Sequence, residues 1–439
     1  MLPEPSITFT VPSLHDGIPI DCRVYHPESL KPSPNSPAWK KHAAIFAHPY
    51  GPLGGSYDDA VVDIAAATLL RIGFLVATFN FRGSHGSAGR TSWTSKAERA
   101  DYMSVVGFLA HYVHFLDPFR RITLRRTDTA VREDEVEIDD ESPAKIRIHP
   151  PTPNPAEEIP VMLLGGYSYG SMVTTQLPFL ETILAGFEAP VCGSPAAEIR
   201  LRAEHLADMQ NTVLASARAA AVDRQRPTSP RKSLNLRVGG DESTRKSHDS
   251  HRPLSVDLEE RIRHGIEELM AKTKKGQKRA PKGQPGEVVD HLHPVPNRTV
   301  YRPAYLLVSP LQGVVRNLTT MSLPTPLSNM AKKLWNQLPA RTKTATQADD
   351  VHSTQPVSAE AETKLVQNPT LAIYGDRDNF VSAKKLRQWA SRLETITDSQ
   401  FRAHEVSSAT HFWQGKNGRT LRDAIQAYAG FLLGDTGIR

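Results

Sequence analysis

The chain has 439 residues, with 34 prolines against 27 glycines and a mean hydropathy of −0.40. Apolar residues at 39% allow a sizeable core, while the excess of proline over glycine points to polar excursions from it and excludes collagen-like and coiled-coil architectures. The 53 basic and 47 acidic residues leave a net charge of +6, too near balance to mark a nucleic-acid binder.

No apolar run reaches the ~18 residues needed to span a bilayer. The best candidate, Ala65 to Phe81, is interrupted by Arg71, Gly73 and Asn80. The opening M-L-P-E-P-S-I-T lacks the basic and apolar regions of a secretory signal. Cys22 and Cys192 are too few for a disulfide framework or a four-thiolate zinc site, though the sequence leaves one bridge between them open. A reduced, cytoplasmic setting is the expectation.

In chain order, Ile7 to Val11 and Ile18 to Tyr25 read as two strands around a turn at Asp16-Gly17. Ala43 to Ala47 reads as a short buried strand. Asp58 or Asp59 then opens a helix whose apolar positions Val62, Ala65, Leu69 and Ile72 share one face, and Gly73 closes it. Phe74 to Phe81 is a second buried strand, and Tyr102, Val105, Val106, Leu109 and Val113 mark another helix. Strands alternating with helices predict an α/β fold, a mostly parallel sheet with helices on both faces.

The pattern then lapses over 120–159, a polar insertion with a basic cluster, an acidic run and a proline-rich exit. Buried sheet resumes at Val161 to Gly165, followed by a helix that Pro178 should end. A basic, largely disordered insertion is expected over 203–298, within which Leu258 to Met270 has helical character. Tyr305 to Val308 returns to sheet. Residues 311–335 form a candidate cap segment, and a third polar insertion covers 342–362. Thr370 to Tyr374 and Phe401 to Val406 are the last strands. The closing helix puts Leu421, Ala424, Ile425, Tyr428, Phe431 and Leu432 on one face. The expectation is one domain over 1–439, interrupted by insertions.

The sharpest chemical signal is Gly166-Tyr167-Ser168-Tyr169-Gly170. It follows a buried strand and opens a helix, the context a nucleophile elbow needs. A serine hydroxyl attacks only when a neighbouring base takes its proton. The expected order is serine, acid, histidine. Gly375-Asp376-Arg377-Asp378 follows one strand and Ala409-Thr410-His411-Phe412 follows the last, both where an open α/β sheet places its site. Asp378 is favoured over Asp376, which is read as a loop-holding carboxylate. His411 is the expected base.

The segment His48-Pro49-Tyr50-Gly51-Pro52-Leu53-Gly54-Gly55 leaves the Ala43 strand, where such folds find one oxyanion donor; the residue after the nucleophile supplies the other. Proline has no N–H, so the donors are the amides of Tyr50 and Tyr169. His48 is read as fixing the loop.

These motifs resemble the α/β-hydrolases, in particular small hydrolases carrying H-P-H-P-L-Y-G-G after the third strand. A segment of the R-F-N-F-R-G-V-G-x-S type in those proteins is matched by Thr78-Phe79-Asn80-Phe81-Arg82-Gly83-Ser84-His85-Gly86-Ser87. The resemblance covers roughly 43–114, 161–177 and 304 onward. It implies an eight-stranded sheet and a Ser168–Asp378–His411 triad. Tyr50 replaces the second histidine of the loop motif, and Pro178 interrupts the helix behind the nucleophile. Arg82 and Gly83 are read as structural.

The implied activity is hydrolysis of carboxylic esters, with thioesters and amides as further candidates, on a small-molecule acyl substrate. No metal or cofactor is expected, since no ligand cluster or phosphate-cradling loop is present. The tract Lys272 to Lys282 lacks interleaved aromatics, which argues against nucleic acid and leaves a nuclear address or a solvated linker. The rival reading is a catalytically silent scaffold that binds protein partners through the insertions.

Overall fold

The structure, a computed structural model, describes residues 1–31, 39–92, 94–117, 159–225, 290–311 and 357–434. Its frame is a sheet of eight strands: β1 (Ile7–Pro12), β2 (Pro19–Tyr25), β3 (Ala43–Ala47), β4 (Leu75–Phe79), β5 (Val161–Tyr167), β6 (Arg302–Val308), β7 (Thr370–Gly375) and β8 (Phe401–Val406). They lie in the order β1-β2-β4-β3-β5-β6-β7-β8. β2 is antiparallel to both neighbours, and every pairing from β4 to β8 is parallel.

The central strands are continuous apolar runs because both of their faces are covered. Alternate residues feed two cores. Ile45, Ala77 and Leu164 face one core, built with α2 (Lys96–Phe115), α4 (Leu180–Ala185) and α5 (Pro195–Gln225). Ala44, Val76 and Leu163 face the other, built with α1 (Ala60–Ile72) and α8 (Lys416–Leu432). Two further helices, α6 (Val357–Gln367) and α7 (Ala383–Glu394), lie on the first side.

Local signals explain several boundaries. Asp59 caps α1 by accepting from the Val61 N–H at 2.8 Å, and Gly73 ends it at φ 118°, a left-handed conformation that glycine adopts without strain. The helix after β5 splits at Pro178 into α3 (Tyr169–Thr175) and α4.

Three expectations are revised. Residues 203–225, assigned to a polar insertion, belong to helix α5, because Ala203, Leu206 and Ala207 give it an apolar stripe that packs on α2. Residues 357–362, placed in the third insertion, begin α6. Phe431, expected on the buried face of α8, is 69% exposed, because the margin of that stripe reaches the edge strand β8, beside Arg402 and His404. Leu258 to Met270 and nearly all of 311–335 lie outside the described residues. No disulfide joins Cys22 to Cys192. Among the described residues, no helix is long and apolar enough to cross a membrane.

The loop beyond β4 is held by a buried ion pair. Arg82, 4% exposed, donates to the fully buried Asp101 through Nε (2.9 Å) and Nη2 (2.7 Å), and to Asp16 through Nη1 (2.9 Å). Ser13 Oγ joins the cluster, donating to Asp101 at 2.6 Å and accepting from Arg82 at 2.9 Å. Substituting Arg82→Met strands the Asp101 carboxylate without its cation, which should cost about 3–5 kcal/mol. Urea unfolding checks this; a change below about 1 kcal/mol would show the pair to be dispensable.

Burial also lowers His26, His48 and His111 from 6.5 to about 4. The unfolded chain therefore takes up these protons first. Stability is lost as pH falls from about 6.5 toward about 4, by at most about 3 kcal/mol for each of the fully buried rings of His48 and His111 and by less for the partly exposed His26. The melting temperature should drop between pH 7 and pH 5; a flat profile would contradict the burial argument.

Candidate functional site

Ser168 stands between β5 and α3 with φ 56° and ψ −112°, a left-sided conformation that costs a non-glycine residue ~1–3 kcal/mol. Close approaches hold it there. The Ser168 N–H donates to the Val308 carbonyl at 2.9 Å. A Cβ on Gly166 would lie 2.4 Å from the Gly170 carbonyl carbon, and one on Gly170 would lie 2.6 Å from the carbonyl oxygens of Ala47 and His48. Both flanking positions therefore admit only glycine without backbone movement.

The loops after β7 and β8 bring Asp378 and His411 to this serine. Nε2 of His411 lies 2.8 Å from Ser168 Oγ, and Nδ1 lies 2.7 Å from Asp378 Oδ2. A carboxylate only accepts, so Nδ1 carries the proton of the neutral ring and Nε2 is left to accept from the serine hydroxyl. The Asp378 side chain is fully covered, and His411 and Ser168 are 3% and 7% exposed. The other Asp378 oxygen accepts from the amides of Phe380 (2.8 Å) and Val381 (3.1 Å).

Asp376 points elsewhere. Its Oδ1 accepts from the Ser408 N–H at 2.7 Å, tying the β7 loop to the β8 loop. A second tie joins the Arg377 N–H to the Ala409 carbonyl at 3.1 Å. From β5, Tyr167 donates its hydroxyl to the His411 carbonyl at 2.9 Å.

The loop after β3 packs against the elbow. The rings of Tyr50 and Tyr169 meet edge to face at 5.2 Å between centroids. The Tyr50 carbonyl accepts from the Leu53 and Gly55 amides at 3.1 and 3.2 Å, closing the loop on itself. The Tyr169 N–H lies in the first turn of α3, where a helix offers no internal acceptor. His48 is fully buried: Nε2 accepts from the Phe81 N–H at 2.8 Å while Nδ1 donates to the Pro49 carbonyl. With both nitrogens engaged and the ring kept neutral by burial, His48 fastens this loop to the one after β4. Burial first, then the charge of Glu98, raise the Tyr50 and Tyr169 phenols, so neither ionises beside the serine.

Sequence reasoning missed three contributors. Tyr167 and Phe380 adjoin residues it singled out but carry no motif of their own. Lys364, on α6, is completely buried and donates from Nζ to the Thr174 carbonyl at 2.9 Å and to the Leu177 carbonyl. Its ammonium satisfies one carbonyl in the last turn of α3, the helix that begins at the elbow, and one just beyond it. A lysine at the end of a polar stretch gives no hint of this. Among the described residues, no group of three or more His, Cys, Asp or Glu side chains could hold a metal ion.

No family model matches the chain, and no curated relative matches it. Among solved structures it is similar to an α/β serine hydrolase without a lid from Xanthomonas campestris (16% identity, 98% of this chain and 97% of that one, TM-score 0.41). A serine hydrolase homologue from Coxiella burnetii matches at 11% identity, 97% and 99% coverage and a TM-score of 0.41. An esterase from Pyrococcus furiosus matches at 10%, 96% and 90%, and 0.42. At such identities and scores, the fold is read from this chain's own strand order and elbow. With β2 antiparallel in an otherwise parallel run from β4 to β8, and a strained serine between β5 and its helix, the chain has the α/β-hydrolase fold.

Proposed function

We propose that the protein is a serine hydrolase that cleaves carboxylic esters, and by the same steps thioesters or amides, through Ser168, His411 and Asp378. The observation that carries this reading is the unbroken chain of hydrogen bonds from Ser168 Oγ through the imidazole to Asp378. Ser168 Oγ attacks the substrate carbonyl carbon while its proton passes to His411 Nε2. The carbonyl π electrons move to oxygen, and the amides of Tyr50 and Tyr169 receive that oxyanion. As the intermediate collapses, the alcohol leaves with the proton from Nε2, and the acyl group stays on Ser168. Water then repeats the sequence and releases the carboxylic acid. Asp378 keeps the proton on Nδ1 and stabilises the imidazolium without taking the proton itself. The catalytic domain is read as one unit, with the polar insertions outside it.

A fluorophosphonate probe tests the nucleophile. Wild type should label at one serine, and Ser168→Ala should lose both label and at least about 10³-fold in esterase rate. Asp378→Asn should fold and lose about 10⁴-fold, because the imidazole proton then favours the wrong nitrogen. Folded wild type that takes no label would instead support a silent scaffold.

A further inference from the structure

Two exposed aromatic rings that the steps above do not use stand against the imidazole. The Phe380 and Phe412 ring centroids lie 4.6 and 5.8 Å from that of His411, and the two rings meet edge to face at 5.7 Å. Both are exposed, 43% for Phe380 and 53% for Phe412, against 3% for the histidine they flank. Phe380 borrows its anchor from the triad, since its N–H donates to Asp378 Oδ1. Phe412 sits between His411 and the buried Trp413, whose indole N–H donates to Ser309 Oγ at 3.0 Å. Solvent-facing rings on so rigid a mount are preorganised for contact.

The chemistry identifies which part of a substrate they meet. The carbonyl oxygen turns toward the amides of Tyr50 and Tyr169, while the leaving group takes its proton from His411 Nε2 and so departs on the imidazole side. Rings packed on that imidazole therefore border the leaving group's path. Neither ring has a polar atom, so what they recognise is apolar area and a π face, and two rings set edge to face leave a corner into which a third ring can pack.

We infer that Phe380 and Phe412 form a platform for an apolar, ring-bearing alcohol, making the protein selective for the leaving group of its ester rather than for its acyl chain. This inference rests on the esterase reading. The residues are specificity determinants; the bonds made and broken are unchanged.

The test compares kcat/KM for benzyl acetate and ethyl acetate in wild type and in the Phe380→Ala/Phe412→Ala double variant. The intrinsic reactivity of each ester cancels in the wild-type to variant ratio. The benzyl-to-ethyl preference should fall about tenfold in the variant, while the butyrate-to-acetate preference at fixed alcohol should not move. Equal losses on both alcohols would mean that the rings only shield the His411–Asp378 pair, and an unchanged preference would mean that they touch nothing; either overturns the platform. Fluorophosphonate labelling of Ser168 separates the two levels. Labelled wild type whose benzyl-to-ethyl preference does not fall in the double variant sinks the platform alone, whereas unlabelled wild type sinks the hydrolase reading and the platform with it.

Discussion

The site depends on one close approach, that of the α3 backbone to the end of β3. Gly170 passes so near the Ala47 and His48 carbonyls that no side chain fits between them. That contact sets the Tyr50 loop beside Tyr169 and pins the first turn of α3 under Ser168. It also explains why strain at Ser168 persists. The serine cannot relax without moving either the Val308 carbonyl it is bonded to or the packed turn that follows it.

Around this contact, buried polar groups act as fasteners between segments distant in sequence. His48 joins the β3 loop to Phe81, Arg82 joins the β4 loop to α2 and to the β1–β2 turn, and Lys364 joins α6 to the far end of α3. Each satisfies backbone or carboxylate groups that would be costly to leave unpaired in a dry interior. His48 and Lys364 each fix an element that carries a site residue, the loop of Tyr50 and the helix that begins at Tyr169. Asp378 serves both levels, orienting His411 with one oxygen and holding the Phe380 turn with the other.

The division between the two ends of the sheet follows from its parallel strands. β3, β5, β7 and β8 all run the same way, so the segments that follow them, carrying Tyr50, Ser168, Asp378 and His411, emerge along one edge.

Much of this was legible in the sequence. Short apolar runs separated by helical periodicity determine a mostly parallel sheet, Asp59 and Gly73 mark the ends of one helix, and glycines spaced around Ser168 determine a turn too tight for side chains. Those features are local, and a sequence displays local physics directly. Which aspartate meets the imidazole is different in kind: Asp376 and Asp378 sit two residues apart after the same strand, and only the path of the loop sends one to Ser408 and the other to His411. The same holds for Lys364, for the short stripe of Ala203, Leu206 and Ala207 that packs α5 on α2, and for Phe431, left exposed beside the edge strand. Burial and pairing are properties of two or more segments at once. The sequence by itself therefore determined the elements and the residue types available for chemistry, while only the tertiary structure decided which of those residues met, because contact between distant segments is set by packing.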